Sequence, residues 1–301
     1  MKAKHAGGLR ILLTGRDGQV GRELIAALAG LGEVTATGRE ELDLASDYSI
    51  ATLVRDLRPH LIVNAAAYTA VDKAESEPDF AWRINADAVT TLAAEAKTVG
   101  AAMIHYSTDY VFDGAKATPY VEGDPTHPLS VYGKTKLAGE QTLASAGIPY
   151  LVLRTSWVYG AQGKNFLLTI LRLATERPEL RIVDDQIGAP TWSRDIALAT
   201  ASIAERWRHS GFVAAKSGVY HITAGGRTSW YGFASEAIRL RAQSAHERKL
   251  AHLTPISSAE YPTPAERPKN SQLDCRKLAH AFDCTLPDWK ASLAAVVQTL
   301  D

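Results

Sequence analysis

The sequence predicts an α/β protein built on a doubly wound parallel sheet, with a smaller and less regular unit in its second half. Two patterns and one break lead to that expectation. Through the first half, short apolar runs alternate with apolar positions at helical spacing, as in β-α units whose strands lie side by side. A glycine-rich turn follows the first run. After about residue 160 the rhythm loosens, and prolines at 178, 190, 255, 262, 264 and 268 cut the chain into shorter pieces. The expected division is residues 1–160 for the nucleotide-binding sheet and 161–301 mainly for substrate binding, with segments 181–184 and 219–222 still free to join the main sheet.

The first strand, Arg10–Leu13, lies in Leu9-Arg-Ile-Leu-Leu-Thr-Gly15 and runs into Arg-Asp-Gly18-Gln-Val-Gly21-Arg-Glu-Leu24. Val20, Leu24, Ile25 and Leu28 then follow helical spacing, which predicts a helix near 18–30. Gly15 and Gly18 would let the backbone turn sharply and approach a pyrophosphate, with the N–H groups of the helix start facing its charge. Gly21 would allow close helix-to-strand packing. The spacing G-x-x-G-x-x-G is a variant of the dinucleotide fingerprint, which makes the sheet Rossmann-type and the first domain NAD(P)-binding. A loop that merely connects two elements is the plain alternative.

Further strands are expected at Glu33–Thr37, Leu61–Asn64, Met103–Ser107 and Tyr150–Arg154, with helices near 47–57, 78–98 and 130–146. In such sheets ligands bind outside the carboxyl ends of the strands. The segments Gly15–Gly21, Gly38–Leu44, Ala65–Thr69, Thr108–Gly114 and Thr155–Tyr159 should therefore converge on one crevice.

Composition excludes several classes. The 301 residues are 46% hydrophobic, enough for a large core. Thirty-three basic residues balance thirty-three acidic ones, so no global field points to nucleic acid or an anionic membrane. The start, Met1 to Gly8, carries charges but no apolar stretch of signal-peptide type, and no later run could span a bilayer. A cytoplasmic protein is expected. Cys275 and Cys284 are the only cysteines and show no metal-ligand spacing, so they read as buried or idle thiols.

Ser130-Val-Tyr-Gly-Lys-Thr-Lys136 holds the most informative pair. Tyr132 and Lys136 are four apart and share one helix face. A free tyrosine titrates near pH ~10, and a neighbouring ammonium favours its phenolate, so the pair reads as a tuned general acid. Such spacings also arise by chance, and the rest of the chain has to decide.

Taken together, the glycine motif, Asn64-Ala-Ala-Ala67, the hydroxyl at Thr108, and Tyr132 with Lys136 resemble the extended short-chain dehydrogenase/reductase family. More narrowly, the chain is similar to the dTDP-4-dehydrorhamnose reductase family. The matching stretches are Asn64 to Glu77, His105-Tyr-Ser-Thr-Asp-Tyr-Val-Phe-Asp-Gly114, Val131 to Glu140, Arg154-Thr-Ser-Trp-Val-Tyr159, Asp185-Gln-Ile-Gly-Ala-Pro-Thr191 and Tyr261-Pro-Thr-Pro-Ala-Glu-Arg-Pro268. The resemblance implies reduction of the C4 ketone of dTDP-4-dehydro-L-rhamnose, the last step of dTDP-L-rhamnose synthesis. Tyr132 would give the proton, Lys136 would bond the nicotinamide ribose and depress the tyrosine pKa, and Thr108 would donate to the substrate oxygen. Asp109 would contact the sugar, and Trp157 would stack on it. A plain turn at a strand end is the alternative for Thr108 and Asp109.

For the coenzyme, the resemblance implies Gly15, Gly18, Gln19 and Val20, with Gly21 beneath them, at the pyrophosphate, and Asp43 and Leu44 at the adenine. Ala67, Tyr68, Thr69 and Tyr106 would lie along the nicotinamide half, in part through backbone. The second strand ends Thr37-Gly38-Arg39, without the acid that NAD-selective enzymes place on the ribose. A guanidinium there favours NADPH, with NADH possible; a surface charge paired with Glu40 or Glu41 is the alternative. Some relatives hold magnesium between subunits, and Glu23 matches one such position, but the other ligands find no match. No metal is assigned, Mg2+ is left open, and a monomer or homodimer is expected.

Three other readings stay open. A dehydratase of this superfamily would follow the threonine with Asp-Glu, where this chain has Asp109-Tyr110. An epimerase would keep tyrosine and glycine loop without net coenzyme turnover. A non-catalytic regulatory subunit, like one that resembles this fold, would keep the residues and turn nothing over.

Overall fold

The computed structural model describes residues 8–244 and 250–300; the charged stretch before Gly8 read above lies outside them. Its strands are β1 (Leu9–Thr14), β2 (Gly32–Thr37), β3 (Leu61–Asn64), β4 (Ala102–Thr108), β5 (Tyr150–Thr155), β6 (Val158–Tyr159), β7 (Glu179–Val183), β8 (Ile187–Gly188), β9 (Thr191–Trp192), β10 (Gly218–His221), β11 (Thr228–Ser229) and β12 (His252–Ile256). Six of them form one parallel sheet in the order β10-β5-β4-β3-β1-β2. The strand order reverses between β1 and β3, and a crevice opens at their carboxyl ends.

The helices are α1 (Gln19–Leu28), α2 (Asp47–Leu57), α3 (Val71–Ala74), α4 (Pro78–Trp82), α5 (Ala88–Val99), α6 (Val131–Ser145), α7 (Phe166–Glu176), α8 (Ser193–His209), α9 (Trp230–Ser244), α10 (Arg276–Phe282) and α11 (Trp289–Gln298). Alternation along β1 sorts its side chains between two cores. Ile11 and Leu13 pack with Leu24 and Leu28 of α1 and Ile196, Ile203 and Trp207 of α8. Leu12 packs on the opposite face with Ile50 and Val54 of α2 and Val89 and Leu92 of α5. Each fully buried aliphatic side chain contributes about 1.5–3 kcal/mol, and burial on both faces explains the unbroken apolar runs.

Segment 219–222 overlaps β10 and joins the main sheet beside β5. Segment 181–184 does not: β7 pairs with β12 in a separate parallel ladder, flanked by α7 and α9. Prolines and short pieces thus give small two-stranded ladders around the cleft rather than a second large sheet.

One long helix expected near 78–98 is interrupted. Between α4 and α5, Arg83–Asp87 forms a wider π-type turn. Asn85 sits inside it, accepts from the Tyr68 N–H at 2.8 Å and donates to the Tyr68 carbonyl at 3.1 Å and to Thr135 at 3.1 Å. Across from it, α6 carries Gly139, where an added Cβ would overlap the Asn85 carbonyl oxygen. Helical periodicity alone carries no sign of such a bulge.

α6 is capped by Ser130, whose side chain accepts from the Gly133 N–H at 3.2 Å. It is tied to β5 by Glu140 and Arg154, bidentate at 2.6 and 2.8 Å, each side chain 4% exposed. Removing one partner of such a pair strands a buried charge. Glu140→Ala is expected to cost about 3–5 kcal/mol in urea unfolding, and the Glu140→Leu/Arg154→Met double variant to recover most of it. A single-variant loss under about 1 kcal/mol would mean that Arg154 reaches water once unpaired.

Candidate active site

The first turn brings two backbones into contact. Gly15 has φ +77°, and a Cβ there would stand 2.7 Å from the Ala66 nitrogen after β3, so only glycine fits. The Gly18 N–H donates to the Gly15 carbonyl at 3.0 Å. α1 starts at Gly18 with no side-chain cap and no acidic residue in its first turn, so its free N–H groups and positive dipole end suit an anion. Gly21 is a correction to the expected coenzyme contacts. It lies outside the cleft wall, buried where a Cβ would overlap the Gly15 carbonyl, and its role is packing.

The carboxyl-end segments converge on a cleft of about 990 Å³. Its wall includes Gly15, Gly18, Gln19, Val20, Arg39, Asp43, Leu44, Ala67, Tyr68, Thr69, Tyr106, Thr108, Asp109, Tyr132, Lys136 and Trp157. Three buried oxygens on this wall, Gln19 Oε1, Ser107 Oγ and Thr155 Oγ1, have no protein partner among the described residues. Buried polar atoms are costly unpaired, so this lining fits a polar ligand such as a dinucleotide.

Tyr132 and Lys136 stand one turn apart on α6, and Lys136 is fully buried. Its Nζ donates to the Tyr106 carbonyl on β4 at 2.6 Å and lies 3.2 Å from His105 Nε2. Burial lowers its pKa to about 8, with the Glu140 carboxylate opposing. The tyrosine corrects the sequence reading. Desolvation raises its pKa, the Asp109 charge raises it further, and the Thr108 hydroxyl opposes both. Burial and Asp109, rather than Lys136, set the direction of its shift.

Thr108 Oγ donates to Asp109 Oδ1 at 3.0 Å and accepts from the Tyr110 N–H at 3.2 Å, capping a single 3-10 turn. The turn role and the place on the cleft wall coexist. Asp109 is buried, and desolvation raises its pKa to about 6 against hydrogen bonds from Ser271 and Thr108. Trp157, expected to stack on a sugar, has φ +48° and neither face free. Trp230 stacks on one at 3.7 Å and 9°. Gly188 covers the other: a Cβ there would stand 2.6 Å above the indole.

At the end of the cleft that follows β2, Asp43 accepts from the Ala45 N–H at 2.9 Å, and Leu44 is buried. The side chains of Tyr68 and Tyr106 are engaged elsewhere, with Glu77 at 2.7 Å and Thr200 at 2.6 Å, which leaves backbone and ring to the cleft. Arg39 lies over the Phe80 ring at 5.8 Å and makes no ion pair among the described residues. The missing acid of the second strand is another correction. Glu41 folds back to accept from the Gly38 N–H at 2.9 Å and pairs with Arg16 at 2.6 Å. A Cβ on Gly38 would overlap Asp17, so the carboxylates of Asp17 and Glu41 would crowd an aspartate placed there.

Comparison with known proteins fits this geometry. Residues 9–301 match the family described as RmlD substrate binding domain. The chain is 48% identical over 295 residues to a dTDP-4-dehydrorhamnose reductase of Burkholderia thailandensis, covering 97% of this chain and 99% of that one. It is 46% identical to one from Escherichia coli, covering 97% and 98%. The chain belongs to the dTDP-4-dehydrorhamnose reductase family. Among solved structures, the reductase of Clostridium acetobutylicum superposes with TM-score 0.89 at 38% identity, covering 97% and 99%. The reductase of Bacillus anthracis, in complex with NADP, superposes with TM-score 0.88 at 33% identity and the same coverage.

From the sequence, Trp230, Gly188 and Arg267 carry no expected role, although Gly188 and Arg267 lie within stretches that match the family. Trp230 and Gly188 reach Trp157 from the second half, and Arg267 lines the cleft while bidentate to Asp72 at 2.8 and 3.0 Å. Their partners lie far away in sequence. Among the described residues, no three His, Cys, Asp or Glu gather as a metal site, and no helix is long and apolar enough to cross a membrane.

Asp109 yields a prediction. Its folded pKa near 6 lies above the unfolded value near ~4, so its contribution to stability is full below pH ~4 and is lost as pH rises through 6. Asp109→Asn is expected to be more stable than wild type at pH 7–8, by up to about 2–3 kcal/mol, with the gain gone near pH 4. Unfolding midpoints across that range test it; a gain independent of pH would remove the carboxylate as its cause.

Proposed function

We propose that the protein reduces the C4 ketone of dTDP-4-dehydro-L-rhamnose to dTDP-L-rhamnose with NADPH, accepting NADH. The observation that carries this reading is the convergence of Thr108, Tyr132 and Lys136 on the cleft that also contains the uncapped α1 start. When bound, the coenzyme supplies the hydride. The α1 N–H groups and the Gly15 turn would hold its pyrophosphate, and the third N–H of Lys136, not used by β4, is free for the nicotinamide ribose.

Tyr132 gives its proton to the ketone oxygen as negative charge develops there. Thr108 has one hydroxyl proton, which in the resting site points to Asp109. Donation to the ketone requires it to leave that carboxylate, so Asp109 and the substrate compete for it. Tyr110, where a dehydratase of the superfamily has glutamate, packs edge-on against Tyr132 at 5.4 Å and brings no second acid, which favours simple reduction. The balanced charge and the water-soluble substrates suit a cytoplasmic enzyme, monomer or homodimer, working without nucleic acid or membrane.

The test is NADPH oxidation by the purified chain with a panel of nucleotide-linked 4-ketosugars. Turnover with dTDP-4-dehydro-L-rhamnose is expected; none with any ketosugar would leave the regulatory reading. Tyr132→Phe keeps the ring and removes the proton, so kcat should fall by roughly 10²-fold or more with coenzyme affinity little changed. A wild-type rate in that variant would remove Tyr132 from proton transfer.

Coenzyme choice follows from the Arg16–Glu41 pair and Arg39. An NADPH phosphate must compete with Glu41 for Arg16, whereas NADH does not. Glu41→Gln is therefore expected to raise kcat/KM for NADPH over NADH by no more than several-fold, because so exposed a pair is weak. Arg39→Ala should lower NADPH alone by a few-fold to ~100-fold. Equal effects on both coenzymes in either variant would remove that residue from phosphate discrimination.

A further inference from the structure

Lys136 is held by a buried polar chain that the proposed chemistry leaves unused. It runs from Thr14 on β1 through Asn64 on β3 and His105 on β4 to the ammonium. Thr14 Oγ lies 2.6 Å from Asn64 Oδ1, Asn64 Nδ2 lies 3.0 Å from His105 Nδ1, and His105 Nε2 lies 3.2 Å from Lys136 Nζ. All four side chains are at most 2% exposed, so each ring nitrogen must be matched by a neighbour of the right kind.

The drawn amide orientation conflicts with a charged lysine. With Asn64 donating to Nδ1, the neutral ring carries its proton on Nε2, and that N–H faces the N–H groups of an ammonium. Turning the Asn64 amide by half a turn exchanges isosteric ends. Its oxygen then accepts from Nδ1–H, and its NH2 faces the Thr14 oxygen. Nε2 becomes an acceptor for Lys136.

We propose that His105 is a positioning residue for Lys136, neutral with its proton on Nδ1, accepting one ammonium N–H at Nε2 while Asn64 fixes the tautomer. The Tyr106 carbonyl takes a second N–H. Near-tetrahedral geometry then aims the third into the cleft, where the coenzyme ribose would lie. A neutral Lys136 amine would match the opposite tautomer, with Nε2–H donating to the amine and Asn64 donating to Nδ1. Burial keeps the imidazole neutral, with the Lys136 charge acting in the same direction. The other charged or titratable groups around the ammonium are Glu140, already paired with Arg154, and Tyr132 one turn away.

The inference rests on the reading that Lys136 serves the coenzyme, and its test separates the two. In wild type with 15N-labelled histidine, the His105 signal is identified by its loss in His105→Gln. It should report a neutral Nδ1–H ring at pH 6.5. An Nε2–H or doubly protonated ring at that pH overturns the proposal whatever the turnover. In variants, the Gln amide oxygen can stand near the Nε2 position, whereas Leu offers no acceptor. His105→Leu should weaken NADPH binding by about tenfold, the scale of a hydrogen bond to a charge, and move the alkaline limb of activity to lower pH, because an ammonium without its acceptor loses its proton sooner. His105→Gln should stay within about threefold of wild type. Equal impairment in Leu and Gln, or an unmoved limb and unchanged affinity in a folded Leu variant, overturns it. Absent turnover in a wild type that binds NADPH and shows the expected ring would instead count against the reductase reading.

Discussion

A buried ammonium hangs from the Tyr106 carbonyl at the end of β4, and much of the site follows from what that contact requires. Placing a lysine in a dry sheet end costs desolvation, and its pKa near 8 reflects this cost. The position is tolerable only if α6 comes close enough for two acceptors on one strand to reach the nitrogen. Gly133 and Gly139 let α6 pack closely on the turn after β4 and on the π turn, each lying where a Cβ would overlap a backbone oxygen, of Tyr110 and Asn85 respectively. Glu140 and Arg154 then tie the same helix to β5. Tyr132 is positioned as a consequence, because a helix fixed at Lys136 and Glu140 has no freedom left one turn earlier.

Charge at the catalytic end is arranged against ionisation rather than for it. Asp109 and Tyr132 both have raised pKa values through burial, and the Asp109 charge further disfavours the phenolate. A phenol held protonated is a ready proton source but a reluctant one, since its conjugate base is disfavoured. Reduction creates an oxyanion with higher proton affinity than a phenolate, so the transfer runs downhill even from a weak acid. With a pKa near 6, Asp109 is a weaker acceptor whenever its carboxyl is protonated, which would ease the proposed redirection of the Thr108 proton.

The sheet was legible because strands buried on both faces read as apolar runs, and Ile11–Leu13 and Leu61–Val63 do. The glycine turn and the Tyr132–Lys136 spacing were legible for the same reason: each is a local pattern with a local cause. Contacts closed by distant chain were not. Glu41 reaching Gly38 is only three residues away, yet the direction of its side chain depends on Arg16 from the first turn. The direction of the Tyr132 shift was not legible because spacing on α6 says nothing about the burial of the ring or the charge of Asp109, which raise it. Asn85 in its π turn answers to Tyr68 and Thr135, and no periodicity within 78–98 encodes either.

Trp157 shows how such distant contacts alter the functional reading. A non-glycine residue at φ +48° costs about 1–2 kcal/mol, and an aromatic stack is worth about 0.5–1.5 kcal/mol. The strain and the Trp230 stack are thus of similar size, so the resting arrangement is held by little beyond burial. A sugar seeking the face of Trp157 must part it from Trp230, since Gly188 closes the other side with backbone that cannot withdraw as a side chain can. Trp230 is itself held by its indole N–H, which donates to Gln186 Oε1 at 3.2 Å. That bond lies in the second half of the chain, and so the irregular portion, rather than the parallel sheet, governs access to the surface where the sugar was expected to stack.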